Sequence, residues 1–441
     1  MLSRRLFSTS ARQLKTQATK LANGVFVATK ANNSGASTIG VYLGSGSRAE
    51  NPYNSGVSTL VGSVLAGSSA AKQSLTSGVE FSSSNAKETT GLIKANFANG
   101  NTKAGLQSVK SLIGSIDSVI SDNSYVKEKA AEAAYFAEVF EATPSKMVVE
   151  HTISTAFQGT SLALPTYGKP DTVGTLESGD LVSFLKKQFV ASNIAIVGSG
   201  DVSHDELVKF ASELTLNNGV KPAVEPAHFL GSEARHRDDT LPQAHVAIAV
   251  KAPSIHSPDF ITGLVAAAIN GHTASHKSPF TQYEGSLLSQ TLHENHLLDS
   301  YNHFNLGYTD AGLWGAYLET SNIGCLDETV HFTLKDWNRY STGTVSETEL
   351  VRAKQQLKLA LFSPKSSSEA ADEVAFDALV KGYTQSADEL AKAIDAVTLS
   401  SLKTWAQTYL YDQDIAMSGT GQIEALFDYN RIRNDMSLIR W

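Results

Sequence analysis

Two histidines four residues apart, His272 and His276, have the spacing best suited to metal chemistry in this chain. On a helix, that spacing would bring both imidazoles to one face. Zinc hydrolysis also needs a third ligand and a carboxylate to take the proton of the bound water. The positions that would carry the carboxylate in H-E-x-x-H or H-x-x-E-H hold Thr273 and Ser275. The pair also follows Asn270-Gly271 at the end of an apolar run, so it is expected to be solvated loop. Gly198-Ser199-Gly200 after an apolar run invites comparison with a dinucleotide-binding loop. The third glycine of that fingerprint is replaced by Ser203, and a second copy, Gly419-Thr420-Gly421, has Glu424 in the same slot. Both strings are expected to be turns or close-packing points. The sole cysteine, Cys325, excludes an internal disulfide and a cysteine-based zinc cage, and is expected to be a small hydrophobe. No G-x-S-x-G elbow occurs, and His236, His245, His293, His296 and His303 form no tight cluster in sequence. The expectation is no catalytic residue, no metal ligand and no cofactor site.

The glycine strings carry architecture. Residues 194–202 read Ile-Ala-Ile-Val-Gly-Ser-Gly-Asp-Val and residues 415–423 read Ile-Ala-Met-Ser-Gly-Thr-Gly-Gln-Ile, with glycines 221 positions apart, about half of 441. Each is preceded by a helix-like stretch, Leu181–Val190 and Leu402–Leu410. The repeat extends upstream. Thr38–Leu43 reads as a strand and Asn51–Asn54 as a turn, followed by Val57, Leu60, Val61, Val64 and Leu65, a helical stripe. In the second half His245–Val250, Ser257-Pro258-Asp259 and Ile261–Ile269 repeat that order, with Pro52 and Pro258 as equivalent turn residues. Longer helices are predicted at Leu106–Ile120, Glu128–Glu141, Thr329–Tyr340 and Ser346–Leu361. Strands and helices interleave without a βαβ rhythm. The predicted fold class is therefore α+β: two similar halves, each a mostly antiparallel sheet covered by helices. The expected divisions are a presequence at 1–20, a domain at 21–213, a Pro- and Asn-rich linker at 214–228 and a second domain at 229–441.

At 441 residues the chain exceeds one ordinary core, and 41% hydrophobic with 18% charged residues is a globular composition. A net charge of −8 argues against a nucleic-acid partner. No apolar run approaches the ~20 residues of a membrane span. The first acidic residue is Glu50, preceded by Arg4, Arg5, Arg12, Lys15, Lys20, Lys30 and Arg48 among many hydroxyls. Leu2, Leu6, Phe7 and Leu14 share one side of a helical wheel and the arginines the other, the signature of a mitochondrial presequence.

Several strings resemble the pitrilysin-type, mitochondrial processing peptidase family. They are Glu50–Val57, Glu150–Gly168, Phe229–Val250, Ser300–Tyr317 and Asp412–Trp441, and the likeness spans nearly everything after the presequence. In active members, the resemblance implies an H-x-x-E-H zinc motif on the first helix, completed by a glutamate on a later helix. Here those slots fall on Thr59, Gly62 and Ser63, and the nearest matches to the distal glutamate are Glu138 and then Glu141. None of the three helix residues can supply an imidazole or a carboxylate. The resemblance therefore implies a degenerate peptidase, in the non-catalytic branch that forms core subunits of respiratory complex III (ubiquinol–cytochrome c reductase). Its implied partners are core protein 2, cytochrome b, cytochrome c1 and small subunits of a dimeric complex. Its implied place is peripheral, on the matrix side of the inner membrane. The competing expectation is a zinc-dependent, beta-type subunit of a processing peptidase. A glycine-rich, substrate-binding partner subunit ranks lower, because Asn270–Gly285 holds no dense glycine run.

Overall fold

In a computed structural model, which describes residues 16–32, 34–214, 216–217, 219–274 and 286–437, the strands gather into two six-stranded sheets. The first comprises β1 (Thr16–Lys20), β2 (Phe26–Lys30), β3 (Ala36–Leu43), β4 (Val79–Asn85), β5 (Thr90–Ala98) and β6 (Ile194–Ser199). Its order is β1-β2-β6-β3-β5-β4. The second comprises β7 (Ser232–Arg237), β8 (Ala244–Ala252), β9 (His272–Ala274), β10 (Ser300–Gly307), β11 (Gly312–Thr320) and β12 (Ile415–Gly421). Its order is β7-β12-β8-β11-β10-β9. The closing strand inserts between β2 and β3 in the first half and between β7 and β8 in the second. β6 runs parallel to β2 and antiparallel to β3, and β12 runs parallel to β7 and antiparallel to β8. All other neighbouring strands are antiparallel, as the sequence pattern predicts.

The paired glycine strings end these inserted strands. Gly200 has φ +100°, and a Cβ there would stand 2.6 Å from the Ser37 hydroxyl. Gly421 has φ +95°, and its Cβ would lie 2.3 Å from the Gln243 carbonyl oxygen. A left-handed backbone pressed against the start of the adjacent strand leaves room only for glycine. The strings are turns that close each sheet.

One face of each sheet packs on helices of its own half. Val57, Leu60, Val61, Val64 and Leu65 are all fully buried there, so the helical stripe read from the sequence is the core face of helix Val57–Ala66. The opposite faces are covered by exchange between the halves. Helix Pro144–Ala156 of the first half lies on β8 and β12 of the second. There, Ile153 and Ala156 pack against Ala249, Leu313 and Ala416. Helix Ser367–Phe376 of the second half lies on β3 and β6 of the first, where Ala371, Val374 and Ala375 meet Tyr42, Ala195 and Val197.

Some boundaries differ from expectation. Thr16–Lys20, placed within the expected presequence, is strand β1, in antiparallel register with β2 from Thr16↔Lys30 to Lys20↔Phe26. Residues 1–15 lie outside the described residues. The expected linker is attached at both ends: Leu214 and Leu216 pack on the first core, and the Ala227 amide donates to Asp310 at 2.8 Å. His272 belongs to the edge strand β9 rather than to a loop, because it pairs with Asn302. His276 lies outside the described residues.

Candidate functional site

Helix Val57–Ala66 starts at Gly56, whose φ of +92° lets the chain turn in from the Asn51–Asn54 turn. Its first turn is closed by a buried carboxylate. Glu50 accepts from the Gly56 amide at 2.6 Å, from the Ser58 amide at 2.9 Å and from the Ser58 hydroxyl at 2.5 Å. A negative charge at a helix start satisfies orphan amides and complements the helix dipole. Burial nevertheless dominates, and pushes the Glu50 carboxyl up to about 7 against the pull of those donors and of Lys87.

The three slots of the degenerate motif line a cavity of about 520 Å³ between this helix, β4 and helix Asn123–Glu141. Thr59 is tied into a network: the Asn85 side-chain amide donates to its hydroxyl at 2.7 Å and to the Thr166 carbonyl at 2.6 Å. The Ser63 hydroxyl donates back to the Thr59 carbonyl at 3.1 Å. Gly62 lies against β4, and a Cβ there would stand 2.7 Å from the Ser83 Cβ. The slot that would hold a water-activating glutamate is thus filled by the neighbouring strand. The opposite wall holds Ala133, Phe136, Ala137 and Phe140. Glu138 and Glu141 are exposed and do not line the cavity, and on their helix Ala133 and Ala137 face it instead. One residue rotates a helical side chain by about 100°, enough to turn the carboxylate to solvent. Among the described residues no three of His, Cys, Asp and Glu gather as a metal site. These hydroxyls, a glycine and an alanine can hold one another in place, but they cannot bind zinc or take a proton from water.

The buried seam between the halves gave no signal in the sequence. Arg48, only 5% exposed, donates to Glu88 at 2.6 Å, to Asp310 at 2.7 Å and to the Glu225 carbonyl at 3.1 Å. Glu88 also accepts from the Thr309 amide at 3.0 Å and hydroxyl at 2.8 Å. First-half Arg48 and Glu88 are thereby locked onto the second-half turn Thr309-Asp310. Around the exchanged helices, Lys87 donates to Glu150 at 2.7 Å, and the Ser418 hydroxyl donates to the Val148 carbonyl at 2.6 Å. The histidines singled out in the sequence are dispersed. The Tyr317 hydroxyl and His245 Nδ1 are 2.8 Å apart, and His303 accepts from the Trp337 indole at 3.0 Å. Full burial pushes the His303 imidazole down to about 3, so it stays neutral.

This geometry, a duplicated α+β fold with a metallopeptidase helix emptied of ligands, has clear relatives. The insulinase (peptidase family M16) model matches residues 26–170, and the peptidase M16 inactive domain matches residues 175–357. The chain belongs to peptidase family M16. It is 38% identical to the cytochrome b-c1 complex reductase subunit, mitochondrial, of Candida albicans, across 100% of this chain and 98% of the relative. It is also 38% identical to cytochrome b-c1 complex subunit 1, mitochondrial, of Saccharomyces cerevisiae, across 99% and 97%. Identity to the mitochondrial-processing peptidase subunit beta of Blastocladiella emersonii is 33%, across 97% and 93%. Among solved structures, a chain of complex III2 from Candida albicans with Inz-5 bound superposes with a TM-score of 0.90 at 38% identity, covering 95% of this chain and 99% of that one.

Proposed function

We propose that this chain is a non-catalytic core subunit of mitochondrial complex III (ubiquinol–cytochrome c reductase). It supports assembly and stability of the complex from the matrix side of the inner membrane. Its partners are core protein 2, cytochrome b, cytochrome c1 and the small subunits of the dimeric complex. The observation that carries this reading is the emptied helix. Thr59, Gly62 and Ser63 replace the metal motif in a chain that aligns end to end with cytochrome b-c1 core subunits, and Gly62 is pressed onto Ser83. Among the described residues no helix is long and apolar enough to cross a membrane, which suits a peripheral position.

The import presequence is assigned to residues before Thr16, because Thr16–Lys20 belongs to the first sheet. Two peptidase-like domains follow, joined across 214–228. N-terminal sequencing of the mature protein checks the first boundary: a new terminus beyond Lys20 would refute it. Co-migration with cytochrome b and cytochrome c1 on native gels tests the main reading, as does loss of the complex when the chain is deleted. Normal assembly without the chain would sink it. So would stoichiometric zinc together with chelator-sensitive presequence cleavage, the behaviour expected of a beta-type processing peptidase subunit.

A further inference from the structure

Where a lysine is drawn fully into this fold, a carboxylate meets it. Lys87 and Lys94 are buried, and they pair with Glu150 at 2.7 Å and with Asp372 at 3.0 Å. Lys221, in the segment that joins the halves, departs from this pattern. The residue as a whole is exposed, but its ammonium is turned inward. Its Nζ stands 2.9 Å from the point that a Gly44 Cβ would occupy, so the space it enters exists because residue 44 is glycine. Oδ1 of fully buried Asn193 stands 2.7 Å from the same point and has no protein hydrogen-bond partner.

Among the described residues no carboxylate lies within ion-pair distance of Lys221, and the only acceptor its ammonium reaches is the Leu379 carbonyl, at 3.4 Å. An ammonium carries three donors, and one long hydrogen bond leaves it poorly compensated for the water it has lost. Burial accordingly holds the Lys221 amine below the usual lysine value, and the more distant Glu88 carboxylate only partly offsets it. A desolvated lysine that gives up its proton readily is a nucleophile. Gly44, Pro222, Ala223 and Val224 also wall a cavity of about 590 Å³, space enough for an acyl chain beside the amine.

We propose that Lys221 is an acylation site that takes acyl groups from thioesters. The neutral amine attacks the thioester carbonyl. The C–N bond forms, the C–S bond breaks, and the departing thiolate takes up the proton that nitrogen loses. The products are an amide at Nζ and a free thiol. Acylation thereby removes a charge from the joining segment at the point where it touches the second half, the Leu379 carbonyl. This chemistry does not depend on the core-subunit reading.

Incubating the purified, folded chain with acetyl-coenzyme A and quantifying each lysine by peptide mass spectrometry tests it. Lys221 should be acetylated at least roughly threefold faster than exposed Lys72, Lys103 and Lys186. Trace labelling with acetic anhydride at increasing pH should give Lys221 a midpoint below that of those three lysines. In urea both differences should vanish. A Lys221 rate at or below that of the reference lysines, or a midpoint at or above theirs, would overturn the site. So would a preference that survives unfolding, because it would then belong to the local sequence and not to the space beside Gly44.

Discussion

Replacing Arg48 by Met should uncouple the two halves, and the chain carries its own reporter for the effect. The side chains of Arg48 and Glu88 are 5% and 7% exposed, so this is a buried pair, and Arg48→Met would leave Glu88 charged and out of water. Removing one member of such a pair costs about 3–5 kcal/mol. The Thr309 amide and hydroxyl still reach Glu88 and hold the loss toward the lower end, about 3 kcal/mol. Asp310 is 32% exposed and partly screened, so Asp310→Asn should cost about 1 kcal/mol or less. Arg48→Met combined with Glu88→Gln removes the stranded charge and should recover half or more of the single-variant loss.

Every tryptophan lies in the second half: Trp314, Trp337 and Trp405 are in its core, and Trp441 is outside the described residues. Intrinsic fluorescence during urea unfolding therefore follows the second half, whereas far-ultraviolet circular dichroism follows both. Wild-type curves should coincide, as for a cooperative unit. In Arg48→Met, a first-half substitution, the fluorescence midpoint should fall and the two curves should separate. A fluorescence midpoint that does not move would refute the coupling. A double variant as unstable as the single one would refute the stranded-charge explanation.

Reinstalling the motif residues, as Thr59→His, Gly62→Glu and Ser63→His with Ala137→Glu, should not give stoichiometric zinc by metal analysis. It should lower Tm, because the Gly62 Cβ would meet Ser83 and overpacking costs about 1–3 kcal/mol; zinc at one equivalent with unchanged Tm would contradict this. Gly421→Ala should cost about 2 kcal/mol or more, measured by denaturant unfolding, because it combines φ +95° with a Cβ 2.3 Å from the Gln243 carbonyl. His303 titrates near 3 when folded and near 6.5 when unfolded, so below pH 6.5 the unfolded chain binds the proton first and stability falls. By pH 5 the loss from this group is about 2 kcal/mol, and His303→Gln should flatten it in urea midpoints compared at pH 7 and pH 5. Glu50 acts in the opposite direction. Its folded value of about 7 exceeds the ordinary 4.5, so the native state takes up the proton first as pH falls through that window, and stability rises. Glu50→Gln should therefore deepen the acid loss between pH 7 and pH 5; a shallower loss would reverse the sign of this account.

The sequence was legible where one local rule fixed both residue type and position. Gly200 and Gly421 had to be glycine, so their spacing revealed the duplication. The 3.6-residue period of Val57, Leu60, Val61, Val64 and Leu65 set the helix phase, which assigned the motif slots to Thr59, Gly62 and Ser63 without any structure. The resemblance alone points to Glu138 and then Glu141 for the distal slot, and both are exposed. Buried Ala130, Ala133 and Ala137 mark the inward face of that helix, and their three- and four-residue spacing is present in the sequence. β1 was hidden for a different reason. An exposed edge strand reading Thr-Gln-Ala-Thr-Lys has no apolar alternation and matches the hydroxyl-rich, basic composition of a presequence. The Arg48 seam joins residues 262 positions apart, and no local pattern encodes such a contact.

The exchanged helices explain how the fold can persist after the site is lost. Pro144–Ala156 completes the second sheet and Ser367–Phe376 completes the first, so neither half buries its inner face alone. A substitution in the metal motif touches neither exchange surface. Thr59, Gly62 and Ser63 lie on the cavity side of a helix whose opposite stripe remains fully buried. The core stripe and the motif positions thus occupy different faces of the same helix. The cavity face can therefore vary without disturbing either exchange surface. With Gly62 against Ser83, the neighbouring strand occupies part of a space that a working site would have to keep open.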